Sequence, residues 1–132
     1  MLQIAKYLKN NRGQAMVEFA LVVPVLLLLV FGIMEFSMVM HQYMAVAEGA
    51  REGARSAALG SNDAVVAAAA KNAAPGLESS RIEVSVLPTP ERTRGESVTV
   101  TVSYPVTLVT PLIRAFFSEG YRVKGITVMR VE

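Results

Sequence analysis

An apolar run at residues 20–34 constrains this chain more than any other feature. Between Glu18 and Glu35 sixteen residues carry no charge, which as an α-helix would cover about 24 Å of a hydrocarbon core about 30 Å thick. The mostly apolar stretch continues through residues 36–40, giving twenty-two residues with one acid inside them. A tilted transmembrane helix over residues 14–41 is therefore predicted.

Positive charge is concentrated before this run. Residues 1–13 contain three basic residues and no acid, whereas the rest of the chain contains ten basic and eleven acidic residues, a net charge of −1. Membrane proteins keep such basic segments on the cytoplasmic side, so residues 1–13 are predicted to be a cytoplasmic leader and the C-terminal part to lie outside the cytoplasm. Because a nucleic-acid-binding domain needs a basic face on its folded part, nucleic-acid binding is not expected.

Length and composition limit the function as well. Beyond residue 41 about ninety residues remain, enough for one small domain but not for a large enzyme core. The chain has no Cys and one His, His41, which directly follows the apolar stretch and is expected at the membrane interface. No catalytic, phosphate-binding or metal-binding motif is present in the sequence. A protein that is not an enzyme, with no cofactor and no metal, is expected.

Small residues recur every four positions beyond the membrane, where residues 42–60 are predicted to continue the helix. They are Ala45, Gly49, Gly53 and Ala57, and this set is called the small-residue stripe below. Glycine inside a helix costs about 1 kcal/mol relative to Ala, so a compensating close contact is expected at Gly49 and Gly53. The contacting surface could be the domain's own sheet or a helix of another subunit, unless the stripe only reflects composition.

Residues 61–132 are predicted to form a small α+β domain. A second helix over residues 63–74, capped by Ser61 or Asn62, is followed by three antiparallel strands at residues 81–87, 97–104 and 121–131. The alternation in the middle strand predicts that Val98, Val100 and Val102 are buried, whereas the third strand is expected to contain a bulge at Gly125. Between the strands, residues 88–96 are predicted as an exposed loop, and the apolar residues 106–117 as a covering segment with a short helix at 112–117.

Glu18 is the residue of the apolar helix that most needs an explanation. A charged side chain at the centre of a bilayer costs about 2.5–3.5 kcal/mol, so Glu18 either lies at the headgroup level or pairs with a positive charge. Cleavage after Gly13 would create such a charge, the free amine of Gln14, four residues away on the same face of the helix. The amine could also pair with Glu18 of a neighbouring chain.

The junction resembles that of a known family. Residues 13–19, Gly-Gln-Ala-Met-Val-Glu-Phe, followed by the apolar run, resemble a type IV prepilin processing site with the scissile bond after Gly13. The wider pattern adds Gly-Ile-Met-Glu-Phe at residues 32–36 and Ala-Arg-Glu-Gly-Ala-Arg at residues 50–55. Together these residues resemble the TadE-like pseudopilins, minor components required for Flp pilus assembly in the tight-adherence (Tad) branch of bacterial type IV pilus systems.

The resemblance implies a location, partners and site residues. The chain would be an inner-membrane, single-pass protein that a prepilin peptidase cleaves after Gly13. Its processing site would comprise Gly13, Gln14, Glu18 and Phe19. Other minor pilins and the assembly machinery would be its partners, contacted through Glu18 and, if the stripe is intermolecular, through Gly49 and Gly53. Incorporation into a surface pilus is an accompanying expectation.

Two other hypotheses remain open from the sequence. In the first, the chain is never processed and tethers a small extracytoplasmic binding module to the membrane. In the second, residues 1–47 are a signal peptide cleaved after Ala47, which releases a soluble binding domain. The N-terminal residue of the protein separates the three hypotheses: Gln14 for the pseudopilin, Met1 for the tethered module and Glu48 for the secreted domain.

Overall fold

The computed structural model describes residues 11–117 and 120–132. Most of the predicted leader, residues 1–10, therefore lies outside the described residues. The chain divides into two compact units, Met1–Glu35 and Phe36–Glu132. The architecture is α+β, with a long N-terminal helix, a short second helix and a three-stranded antiparallel sheet, which confirms the predicted fold class.

The first helix, α1, spans Asn11–Ala58 and contains Pro24. It begins before the predicted start at Gln14, because adding a turn to an existing helix costs far less than nucleating one. In the first unit the large apolar side chains are exposed: from Leu21 to Met34 all except Val23 are between 41% and 69% exposed. Glu35, the one acid inside the apolar stretch, is only 6% exposed.

In the second unit α1 carries the main buried face of the domain. Val46, Ala50, Ala54 and Ala57 are fully buried and belong to one hydrophobic core with residues of the sheet. Charged residues such as Glu48, Arg51 and Glu52 are exposed on the same helix. The periodicity of about 3.6 residues thus separates a face of small side chains from a charged face.

The second helix, α2, spans Asp63–Asn72. Asn62, one of the two predicted caps, is its N-cap: the Asn62 Oδ1 atom accepts a hydrogen bond of 2.9 Å from the backbone N–H of Val65. The helix ends two residues before Ala74, and a 3₁₀ turn at Ser79–Arg81 leads into the sheet. Val66 and Ala70 are its buried residues.

The sheet contains β1 (Glu83–Leu87), β2 (Ser97–Pro105) and β3 (Arg122–Arg130) in the order β1-β2-β3, with both pairs antiparallel. Val98, Val100 and Val102 in β2 are fully buried, which confirms the predicted inward face. The alternation of β-branched and polar residues builds this strand, because one face packs on helices and the other is partly solvated.

The predicted bulge at Gly125 is wrong. The register between β2 and β3 runs without interruption from Ser97 opposite Arg130 to Pro105 opposite Arg122. Gly125 lies on the inward face, whereas Ile126 and Val128 point outward and are exposed. In the sequence the apolar positions shift by one residue at Gly125, which is the pattern that a bulge produces. Here the shift arises because the inward face carries Gly125 and Thr127, whereas the outward face carries Ile126 and Val128.

The predicted covering role of residues 106–117 is also wrong. Val106 packs against the core, but Leu112, Phe116 and Phe117 are exposed. The short helix in this segment, α3, spans Pro111–Arg114 rather than residues 112–117, and Pro111 occupies its first turn. The segment connects β2 to β3 without covering the core.

Candidate processing and assembly site

The residues of the predicted processing site lie in the first turns of α1. Gln14 and Glu18 are on one face of the helix, where the Gln14 Nε2 atom donates a hydrogen bond of 3.2 Å to the Glu18 Oε1 atom. Both side chains are exposed, as is Phe19. The spacing of four residues thus places the Glu18 carboxylate within reach of groups on Gln14.

The described residues show neither a close contact nor a backbone angle that would require glycine at position 13. A Cβ atom added there would meet no other atom within 4 Å, and the backbone φ angle is not positive. Glycine in a helix nevertheless costs about 1 kcal/mol relative to Ala. A requirement for Gly at this position would therefore come from another molecule.

The small-residue stripe lies against the domain itself. Ala45 and Ala57 are buried, and a Cβ atom at Gly49 would lie 2.7 Å from the backbone oxygen of Ala70 in α2. A Cβ atom at Gly53 would lie 3.1 Å from the Cβ of Ala70 and 3.1 Å from the Cγ1 of Val100. This packing accounts for both glycines within one chain, so a contact with another subunit is not needed to explain them.

Gly125 makes an equally close approach from the sheet. A Cβ atom there would lie 2.5 Å from the carbonyl oxygen of Val46 and 2.8 Å from the Cα of Ala47. Only a residue without a side chain lets β3 lie this close to the backbone of α1.

A polar contact that the sequence did not predict fixes the loop between β1 and β2. Arg92, whose side chain is largely buried, forms an ion pair with Asp63 at the start of α2 and donates to the backbone oxygen of Ser61. Thr89 also donates a hydrogen bond to Asp63. The loop is therefore anchored to α2, although most of its residues are exposed as predicted. No local sequence pattern indicates a pair 29 residues apart.

The metal-ligating side chains of the described residues are scattered. Within residues 11–117 and 120–132, no group of three or more His, Cys, Asp or Glu residues could hold a metal ion. His41 is exposed, and its Nε2 atom would be 3.0 Å from a Cβ added at Gly76, so it lies at the turn that follows α2.

One helix in the described part of the chain, Gly13–Ala58, is long and apolar enough to cross a membrane, and the apolar window that qualifies it has no buried residues. A core helix of similar composition would be mostly buried.

A family model described as TadE-like protein matches residues 13–55.

Residues 13–55 are similar to the TadE-like family.

No curated protein and no solved structure matches the chain.

The TadE-like segment begins at the predicted junction and ends within α1. It includes Gly13, Gln14, Glu18 and Phe19, the whole apolar run, and both Gly49 and Gly53. The resemblance seen in the sequence is therefore confirmed over these residues. The TadE-like family consists of pilus components and is not a known enzyme family. The match does not extend to α2 or to the sheet.

Proposed function

We propose that this chain is a minor pilin or pseudopilin that acts in assembly of a Tad/Flp type IV pilus. The observation that carries the proposal is the TadE-like match over residues 13–55, a segment that begins at the predicted cleavage junction. The exposed apolar part of α1 supports it, because a helix of this length and composition can span a bilayer. Its partners would be other minor pilins and the assembly machinery.

The proposed orientation follows from charge. Lys6, Lys9 and Arg12 precede the apolar run without an accompanying acid, so the leader would stay on the cytoplasmic side of the inner membrane and the α+β domain would lie outside the cytoplasm. A prepilin peptidase would then cut after Gly13, and the new amine of Gln14 would pair with Glu18 of the same chain or of a neighbour. The contact between the side chains of Gln14 and Glu18 is consistent with this pairing.

Packing in the domain argues against the secreted alternative. Cleavage after Ala47 would remove Ala45 and Val46, which are buried in the core, and would uncover Gly125. A signal peptide is not expected to supply core residues to the protein it leaves behind. The tethered-module alternative keeps the whole domain intact and differs from the proposal in processing and in partners.

Processing is tested by the mass of the intact membrane protein, expressed with and without the candidate prepilin peptidase. The expected product begins at Gln14 only when the peptidase is present. Gly13→Leu should keep the leader attached, because a peptidase pocket that fits Gly has no room for a larger side chain. Gly32→Leu is the matched control: neither glycine has a neighbour within 4 Å of an added Cβ, so this variant should be processed normally. Normal processing of Gly13→Leu would contradict the proposed site.

Assembly is tested in the same cells with Glu18→Gln, which keeps the shape of the side chain and removes its charge. Membrane insertion should be unchanged, whereas surface pili and cross-linking to other minor pilins should be reduced. Glu18→Asp keeps the charge and should retain more of both. Wild-type assembly by Glu18→Gln would refute the electrostatic role and leave Glu18 as a residue of the headgroup region.

A further inference from the structure

The connection between β2 and β3 exposes an unusual number of large apolar side chains for so short a segment. Its exposed large apolar residues include Leu112, Phe116, Phe117 and Tyr121, and Phe116 is 83% exposed. These four residues are called the apolar loop surface. Single exposed apolar residues are common on soluble domains, but a cluster of aromatic and aliphatic side chains marks an interaction site.

The loop that carries this surface is held in place. The backbone N–H of Val106 donates to the oxygen of Tyr121 at 2.9 Å, which closes the base of the loop. Arg81 donates to the Oγ1 atom of Thr107 at 3.1 Å, and Arg114 donates to the backbone oxygen of Leu108 from both Nε and Nη2, at 3.2 and 2.7 Å. These hydrogen bonds fix the backbone of the loop, while the side chains of the apolar loop surface are exposed.

The position of the loop in the domain indicates what covers this surface. Gly125 lies against Val46, and the backbone N–H of Glu132 donates to the oxygen of Ala58 at 3.0 Å, so β3 and α1 run side by side in the same direction. The start of β3 therefore lies toward residue 36 of α1, and the loop joins β2 to β3 at this end. It is the end of the second unit from which the chain continues into the apolar run.

The surface of α1 at this end is also apolar. Phe36, Met40, Tyr43 and Met44 are exposed in the second unit. Residues 106–121 contain two charged residues, Arg114 and Glu119, and Lys124 is exposed on the following strand. Exposed aromatic and aliphatic side chains at this end of the domain suit the interface of a phospholipid bilayer.

We infer that the apolar loop surface inserts into the headgroup region of the bilayer that holds α1, as a second membrane contact of the domain. Tyr is favoured at this depth because its ring is amphipathic, and Phe and Leu bury their side chains at the boundary between headgroups and acyl chains. The contact would hold the sheet close to the membrane while the subunit is anchored there. The inference rests on membrane anchoring by α1 but not on the role in pilus assembly.

The chain contains no Trp, so one introduced Trp reports its own surroundings. The full-length Phe116→Trp variant is reconstituted into vesicles of phosphatidylcholine and phosphatidylglycerol that carry bromine on their acyl chains. Its emission should shift to shorter wavelength and should be quenched several times more strongly than that of Leu59→Trp. Leu59 is 67% exposed and follows α1 at the opposite end of the domain, so it is the matched exposed control.

Leu26→Trp, in the middle of the apolar run, controls for anchoring and should be quenched most strongly. Quenching of Leu26→Trp without quenching of Phe116→Trp would overturn the inference while leaving the anchor intact. A short-wavelength emission of Phe116→Trp that is not quenched by lipid would show that protein covers the surface, which also overturns it. Loss of quenching in Leu26→Trp would instead contradict the anchor on which both proposals depend.

Discussion

Residues 20–34 and residues 45–58 belong to the same helix, but their side chains differ in size and in surroundings. The first part, called the apolar half, has large side chains that are mostly exposed, and the second part, called the domain half, has Ala, Gly and Val buried against α2 and the sheet. In a bilayer, lipid can adapt to any apolar surface. Inside the domain, neighbouring backbone fixes how much volume each position can hold.

The comparison indicates that the two parts of one helix place different requirements on their side chains. In the apolar half we expect the total hydrophobicity of the side chains to determine membrane insertion, and the shape of an individual side chain to matter little. In the domain half shape decides, because Gly49 and Gly53 face atoms at van der Waals distance or less from an added Cβ. Identical substitutions in the two halves should therefore have different consequences, and three pairs of variants test this.

A buried charge should produce the largest effect. Val46→Asp places an unpaired carboxylate at a position that is fully buried, which should cost about 3–5 kcal/mol and unfold much of the domain. Leu26→Asp should instead weaken membrane insertion by about 2.5–3.5 kcal/mol. Limited proteolysis reports the first effect and carbonate extraction of membranes reports the second. If both variants lose insertion but keep a protease-resistant domain, the two halves are not distinct.

An oversized apolar side chain should have the next largest effect. Gly53→Leu adds four carbon atoms where the first already lies 3.1 Å from two neighbours, so overpacking should cost about 1–3 kcal/mol. The matched change in the apolar half, Gly32→Leu, meets no neighbour within 4 Å. Thermal unfolding of the detergent-solubilised protein should show a lower Tm only for Gly53→Leu. An unchanged Tm for this variant would mean that the contacts of the small-residue stripe are looser than described.

A single methyl group should produce the smallest and most discriminating effect. In Gly49→Ala the added Cβ would lie 2.7 Å from the backbone oxygen of Ala70, so α2 must shift despite a gain of about 1 kcal/mol in helix propensity. A net loss of about 1 kcal/mol is expected, which lowers the Tm of a domain this size by about 4–8 °C. Gly32→Ala gains the propensity without the clash. Equal Tm values for the two variants would contradict the distinction between the halves.

Strong local patterns made much of the fold predictable from sequence. The apolar helix, a cap at Ser61 or Asn62 and the buried face of Val98, Val100 and Val102 each depend on residues close in sequence. The structure contains all three, with Asn62 as the cap. The family resemblance was carried by the same kind of contiguous pattern and was recovered over residues 13–55. The cleavage after Gly13 and the role of Glu18 remain predictions, because they depend on other molecules.

The predictions that the structure contradicts have a different cause: they concern contacts between residues far apart in the chain. The sequence predicts a bulge at Gly125, but this residue is a glycine because Val46 lies against it. The sequence predicts an exposed loop at residues 88–96, but Asp63 binds the guanidinium of Arg92 in that loop. Residues 106–117 were expected to cover the core because they are apolar, yet Phe116 and Phe117 face outward. A sequence pattern records how apolar a residue is, but not which surface it meets.

The contact between Gly125 and Val46 also has a consequence for the timing of folding. The two residues are separated by most of the chain, and the last strand covers a helix made near its beginning. Such distant contacts form late, because a long loop must close before they stabilise anything. If the domain is exported from its N-terminal side, its helix emerges long before β3 does, with Val46 and Ala50 uncovered. The interval between anchoring and completion of the core is therefore the period in which this chain is most open to aggregation, proteolysis or capture by a chaperone.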